Sequence, residues 1–121
     1  YHNHEYEFDS ENGQVLYDVL MDNTQNDLVY MELDLGWVVV AGKDPISYFK
    51  KYPGRFPLWH LKDMDMTKKE STEFGKGALD ISLMLKNKEL SGVEHIFIEQ
   101  EEYASTPFES MKYNMDYLKK I

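Results

Sequence analysis

The 121-residue sequence has no cysteine, which excludes disulfides and thiolate metal sites but leaves the compartment undecided. Basic residues are scarce: 13 Lys and Arg stand against 22 Asp and Glu, a formal charge of −9. That balance disfavours a polyanionic partner such as nucleic acid, whose affinity rests on phosphate contacts. No apolar run approaches the ~20 residues a bilayer-spanning helix needs. The start of the chain lacks the basic and apolar regions of a secretory signal. The expectation is a soluble protein, cytoplasmic or periplasmic, with no nucleic-acid and no membrane partner. Walker loops and dinucleotide fingerprints are also missing. What is present is a 42% hydrophobic share, enough for one cored domain over 1–121. Four histidines and a surplus of carboxylates are the raw material for chemistry.

Four segments read as strands: Tyr1–Phe8, which alternates and is aromatic-rich, and the short apolar runs Leu28–Asp34, Phe56–Asp63 and Val93–Gln100. Stretches of helical spacing follow them. Val15, Leu16, Val19 and Leu20 form one apolar stripe, and Ile46 and Phe49 with Val40 form another. Ile81, Met84 and Leu85, ahead of Leu90, make a third; Phe108, Met111, Met115 and Leu118 make a fourth. Asp44-Pro45 and the capping-box pattern Thr106-Pro107-Phe108-Glu109 are helix starts, and Ser91-Gly92 is a stop. The order βαβαβαβα predicts an α/β fold with a parallel sheet and right-handed crossovers. No linker or low-complexity tract divides it.

Residues two apart share a strand face. Val29, Met31 and Leu33 therefore oppose Tyr30, Glu32 and Asp34, while Trp59 and Leu61 oppose Leu58, His60 and Lys62. Ile96 and Ile98 oppose His95, Phe97 and Glu99, and His2 and His4 lie together with Tyr6 and Phe8. One face of each strand suits packing under helices; the other carries an imidazole or carboxylate near its C-terminal end. Parallel strands bring His2, His4, Asp34, His60 and Glu99 to one rim, where α/β folds place their sites. Imidazole nitrogens and carboxylate oxygens suit a divalent cation: Mn²⁺, Co²⁺, Zn²⁺ or Mg²⁺.

Each of these residues alone also reads as an ordinary turn or solvated side chain. Weight comes from three strands ending alike. Lys62-Asp63-Met64-Asp65 also reads as a solvated loop, and Glu101-Glu102 as a solvated acidic turn. Gly75-Lys76-Gly77 reads either as backbone donors for a phosphate or sugar oxygen, or as a plain loop leading into a helix at Leu79–Leu90. Trp37, Trp59 and the tyrosines suit either stacking on a sugar ring or core packing.

Taken in order, Tyr1-His2-Asn3-His4, Glu32-Leu33-Asp34, Trp59-His60-Leu61-Lys62-Asp63, Phe74-Gly75-Lys76-Gly77 with Asp80, and Ile98-Glu99-Gln100 form a recognisable set. The set resembles the sugar phosphate isomerase/epimerase family of xylose-isomerase-like TIM barrels. The resemblance covers essentially the whole chain and corresponds to strands five to eight, the C-terminal half of the barrel. It implies a half barrel of four parallel βα units. The activity implied is that of a metal-dependent sugar or sugar phosphate isomerase/epimerase working through an enediolate. In that family a glutamate, an aspartate, a histidine and a second glutamate bind one divalent metal. The resemblance carries the last three onto Asp34, His60 and Glu99; the first falls on His2.

Epimerase members use two glutamates on opposite faces of the substrate. Histidine in the first place argues against that scheme and admits hydrolysis, elimination or one-base isomerisation. The implied roles are Glu99 as general base, with His2 or His4 as partner acid or ligand. Lys62 would meet a substrate oxygen or phosphate, and His4 and Trp37 would line the sugar. A non-catalytic sugar- or metal-binding fragment is the alternative. An apurinic-site endonuclease shares the barrel, but the −9 charge opposes it. Four units cannot close a barrel. The inward residues Tyr30, Leu58 and Phe97 therefore lead us to expect pairing with a second copy, as a homodimer, or with the absent N-terminal half.

Overall fold

A computed structural model describes residues 1–121. A 3₁₀ turn at Tyr6–Phe8 leads into a small hairpin, β1 (Ser10–Glu11) and β2 (Gln14–Val15), and then α1 (Leu16–Asp22). Next come β3 (Glu32–Asp34), α2 (Leu35–Val40), α3 (Pro45–Lys51) and β4 (Leu58–Leu61). A second hairpin of β5 (Asp63–Asp65) and β6 (Glu70–Thr72) precedes α4 (Ile81–Lys86), α5 (Lys88–Ser91), β7 (His95–Ile98) and α6 (Pro107–Leu118).

The alternation of strand and helix gives the expected parallel sheet, in the order β3-β4-β7, with Asp34 beside His60 and His60 beside Phe97. The first expected strand, Tyr1–Phe8, is reduced to one parallel bridge from His2 to Glu32. Beyond it the chain turns, and buried Phe8 packs on the rings of Tyr17 and Tyr48. Of that segment's aromatics only Phe8 enters the core, while Tyr1 and Tyr6 stay exposed. Met31, Leu33, Trp59 and Leu61 are buried with Ile46, Phe49, Phe56, Ile81 and Met84 in one hydrophobic cluster. The opposite sheet face stays open, with Tyr30 57% and Phe97 49% exposed.

Helix boundaries follow their capping residues. Asp44 accepts from the Ile46 N–H, Thr106 and Glu109 complete the capping box, and Gly92 ends α5 at φ 77°. Two helix faces depart from the expected stripes. α1 buries Tyr17 and Met21 while Leu16 and Val19 are exposed, and α6 buries Ser110 and Asn114 while Phe108 and Met115 are exposed. The reason for α6 is polar. Ser110 Oγ donates to the buried Glu73 at 2.7 Å, the Phe74 N–H donates to Asn114 Oδ1 at 2.9 Å, and Asn114 Nδ2 donates to Gln100 Oε1 at 2.8 Å. Stranding buried partners costs about 1–3 kcal/mol each, comparable with what burying one or two apolar side chains would return.

The stretch after β4 is not a solvated loop. Lys62, Asp63 and Met64 are 1%, 0% and 0% exposed, and Asp63–Asp65 pairs with Glu70–Thr72. Asp63 also claims the glycine loop. Its Oδ2 accepts from the N–H groups of Gly75 (2.9 Å) and Gly77 (3.0 Å), its Oδ1 from Met64 (2.9 Å) and Leu79 (2.9 Å). A side chain at position 77 would collide with that carboxylate. The loop's donors serve an internal anion, which removes the phosphate-cradle reading of Gly75-Lys76-Gly77.

Candidate metal centre

Asp34 ends β3 and caps α2: its Oδ1 accepts from the Trp37 N–H at 3.0 Å, which leaves Oδ2 to face the rim. Buried Asn3 pins the same turn. Its Oδ1 accepts from the Asp34 N–H at 3.0 Å and its Nδ2 donates to the Asp34 carbonyl at 3.3 Å. His60 lies beside Asp34 on β4, and Glu99 follows β7, its N–H donating to the Leu61 carbonyl at 3.2 Å. His2 arrives through the bridge to Glu32.

One ligand atom from each of His2, Asp34, His60 and Glu99 lies within 4.8 Å of the others. His2 Nε2 is 3.3 Å from Asp34 Oδ2; His60 Nδ1 is 3.7 Å from that oxygen and 2.5 Å from Glu99 Oε2. Lys62 Nζ sits 3.1 Å from Asp34 Oδ2, 3.2 Å from Glu99 Oε2 and 3.6 Å from Glu101 Oε2. It also lies 5.1 Å from the centre of the Trp37 ring. His4 is exposed and outside the four-ligand group. Its ring stacks on Tyr6 at 5.5 Å and stands 4.9 Å from His2 and 5.8 Å from Trp37. Trp59 faces away, stacked on Phe49 in the core at 5.0 Å.

The charges interlock. Burial works against the Asp34 carboxylate, yet His2, His60, Lys62 and the Trp37 N–H together hold its carboxyl well below the usual range. The Asp34 carboxylate 3.7 Å from its Nδ1, opposed by burial and reinforced by Glu99 and Glu32, pushes His60 up to about 9. Burial disfavours the Lys62 ammonium, but Asp34 and Glu99 outweigh it and raise its pKa. Two cations thus alternate with carboxylates.

His60 Nδ1 and Glu99 Oε2 are both buried and stand 2.5 Å apart, with Lys62 Nζ 3.2 Å from the same Glu99 oxygen. They converge without bonding geometry, beside Asp34 Oδ2 and His2 Nε2. Buried polar atoms left in that state call for a third partner. A set of two imidazole nitrogens and two carboxylate oxygens fits a divalent cation.

Three further residues of the cluster lay outside the expected set: Glu32, Asn3 and Glu101. For Glu32 the available signal was its position two residues before Asp34 on one strand face. Asn3 acts on backbone groups, so no side-chain pattern marks it.

No family model matches the chain. It is 30% identical to an inosose dehydratase of Clostridium beijerinckii over 122 residues, which is 84% of this chain and 41% of that protein. An inosose dehydratase of Clostridium perfringens is 41% identical over 59 residues, 49% of this chain and 20% of that one. Among solved structures, a sugar phosphate isomerase/epimerase of Parabacteroides distasonis superposes with a TM-score of 0.87 at 30% identity, covering 100% of this chain and 45% of its own. The chain is similar in sequence and fold to a sugar phosphate isomerase/epimerase. A second such structure from the same organism agrees, with a TM-score of 0.84, 28% identity, and coverage of 98% and 43%. The chain therefore has the architecture of part of a TIM barrel, and spans less than half the length of the proteins it matches.

Proposed function

We propose that the protein is a sugar-processing enzyme that moves a proton next to a carbonyl, isomerising or epimerising its substrate. In this reading a divalent cation (Mn²⁺, Co²⁺, Zn²⁺ or Mg²⁺) is held by His2, Asp34, His60 and Glu99. The observation that carries it is the convergence of four ligand atoms within 4.8 Å, two of them buried and facing each other without hydrogen-bond geometry. The kinship with sugar isomerases/epimerases supports the substrate class. We also place the chain as strands five to eight of such a barrel. The exposed inner residues Tyr30 and Phe97 support pairing with the other half or with a second copy.

A cation held by these four residues would supply polarisation of a carbonyl oxygen and would offset the negative charge that develops as the neighbouring proton leaves. Glu99, with a side chain 31% exposed, is the carboxylate of the four most open to a substrate, and it takes the proton. Lys62, 3.2 Å from Glu99, offers an N–H to a substrate oxygen. His2, 25% exposed, is the partner acid. Trp37 and His4 form an aromatic wall against which a sugar ring stacks.

A second reading is loss of water. Relatives named inosose dehydratase favour it, as does histidine at position 2, which leaves one carboxylate base and one acid. Glu99 would remove the proton next to the carbonyl. The hydroxyl on the adjoining carbon would leave as water with a proton from His2, and a carbon–carbon double bond would form.

Proton NMR in deuterium oxide separates these schemes, with metal-loaded protein given ketoses or a cyclic polyhydroxy ketone. Deuterium entering the position next to the carbonyl is common to both; a new sugar isomer identifies the first and an unsaturated product the second. Glu99→Gln is expected to abolish exchange, a loss of about 10²–10⁴-fold, with an unchanged circular dichroism spectrum. A fully active variant refutes the assignment.

A further inference from the structure

His60 is gripped on both ring nitrogens. Its Nδ1 faces Asp34 Oδ2 and Glu99 Oε2, while its Nε2 is hydrogen-bonded to Glu32 Oε1 at 3.1 Å. Glu32 reaches it diagonally across the sheet: β3 and β4 pair Glu32 with Leu58 and Asp34 with His60, and Glu32 and Asp34 share one strand face. The Glu32 carboxylate, 29% exposed, has no other side-chain or backbone partner. A neutral imidazole has one N–H and one lone pair, and a carboxylate can only accept. Once a cation occupies the cluster, Glu32 accepts the hydrogen on Nε2 and leaves the lone pair on Nδ1, the atom aimed at the cluster.

We infer that Glu32 is the positioning residue of this centre, selecting the tautomer and ring angle that present His60 Nδ1 as a ligand. The inference rests on the metal reading above. Carboxylates in this outer position are worth about 10–100-fold in metal affinity. The same side chain would serve as a solvated surface group if His60 did not ligate through Nδ1. The two roles separate on measurement.

The experiment has two arms, on wild type, Glu32→Ala and Glu32→Gln. The first titrates each protein with Zn²⁺ and Mn²⁺ by calorimetry. Wild type is expected to bind, Glu32→Ala to bind about 10–100-fold more weakly, and Glu32→Gln, whose amide oxygen still accepts from Nε2, to recover most of the loss. Equal affinity in all three overturns the positioning role while leaving the metal reading intact. The second arm reads the His60 ring by long-range proton–nitrogen correlation NMR, without metal and in alkaline buffer. Wild type is expected to carry more of the Nε2–H tautomer than Glu32→Ala, in which the only carboxylates left on the ring are those at Nδ1. Should no cation bind wild type, the metal reading falls. The ring spectrum still decides on Glu32, because an unchanged tautomer in Glu32→Ala overturns its role.

Discussion

Asp63 offers the most direct test of how the site's surroundings are built. Its carboxylate receives four backbone N–H groups at 2.9–3.0 Å, from Met64, Gly75, Gly77 and Leu79. Asp63→Ala removes every one of those acceptors and leaves a void in a residue that is 0% exposed. The Met64 and Leu79 donors are buried, and each would forfeit about 1–3 kcal/mol; those of Gly75 and Gly77 are partly open to water and lose less. The sum is about 4 kcal/mol, a large share of the roughly 5–15 kcal/mol that holds an ordinary domain. For a chain of this size that corresponds to a fall of about 15 °C in melting temperature. Asp63→Asn is expected to fare little better, because its NH₂ group would face two of the N–H donors it must satisfy. Equilibrium urea unfolding followed by circular dichroism measures the loss. If Asp63→Ala unfolds within about 1 kcal/mol of wild type, the account of the glycine loop as a nest for an internal anion is wrong.

Two further outcomes follow from named charges. Burial opposes the charge on Glu73, but the Ser110 hydroxyl, the Ala104 N–H and Lys76 hold its carboxyl down to about 2. The unfolded value is about 4.3. A folded value below the unfolded one gives a contribution that is fully present above about pH 4.3 and lost as pH falls toward 2, amounting to about 3 kcal/mol. The stability difference between wild type and Glu73→Gln should therefore shrink by that amount between pH 6 and pH 2; a constant difference would defeat the claim. Lys62→Met strips the ammonium from fully buried Asp34, at a cost of about 3 kcal/mol without metal. Millimolar Mn²⁺ should raise the melting temperature of this variant more than that of wild type, and equal shifts would count against a cation site at Asp34.

Three of the four expected strands and the rim were legible because both depend on a period of two; the first, Tyr1–Phe8, keeps only one bridge. Asp34, His60 and Glu99 each follow from which side of a strand they occupy, and neighbouring parallel strands carry that side to one place. Helix faces were less legible, because a stripe of apolar residues specifies burial only if an apolar partner awaits it. α6 meets Glu73, Phe74 and Gln100, so its polar residues turn inward and Phe108 stays out. The glycine loop was ambiguous for a related reason. Its spacing announces free N–H donors, but nothing in Gly75-Lys76-Gly77 tells whether the anion they hold is a ligand or the neighbouring Asp63.

Net charge was a poor guide to the site itself. An overall −9 suggests repulsion wherever carboxylates gather, yet Asp34, Glu99 and Glu101 gather around one buried ammonium. Lys62 and a divalent cation are two ways of neutralising the same oxygens, Asp34 Oδ2 and Glu99 Oε2. Occupancy by both requires that the ammonium and the cation share those oxygens, or that Lys62 swing toward Glu101, 3.6 Å away, or toward a substrate. In the metal reading proposed above, a lysine so placed would release its donors to an incoming oxygen once a cation neutralised its carboxylates.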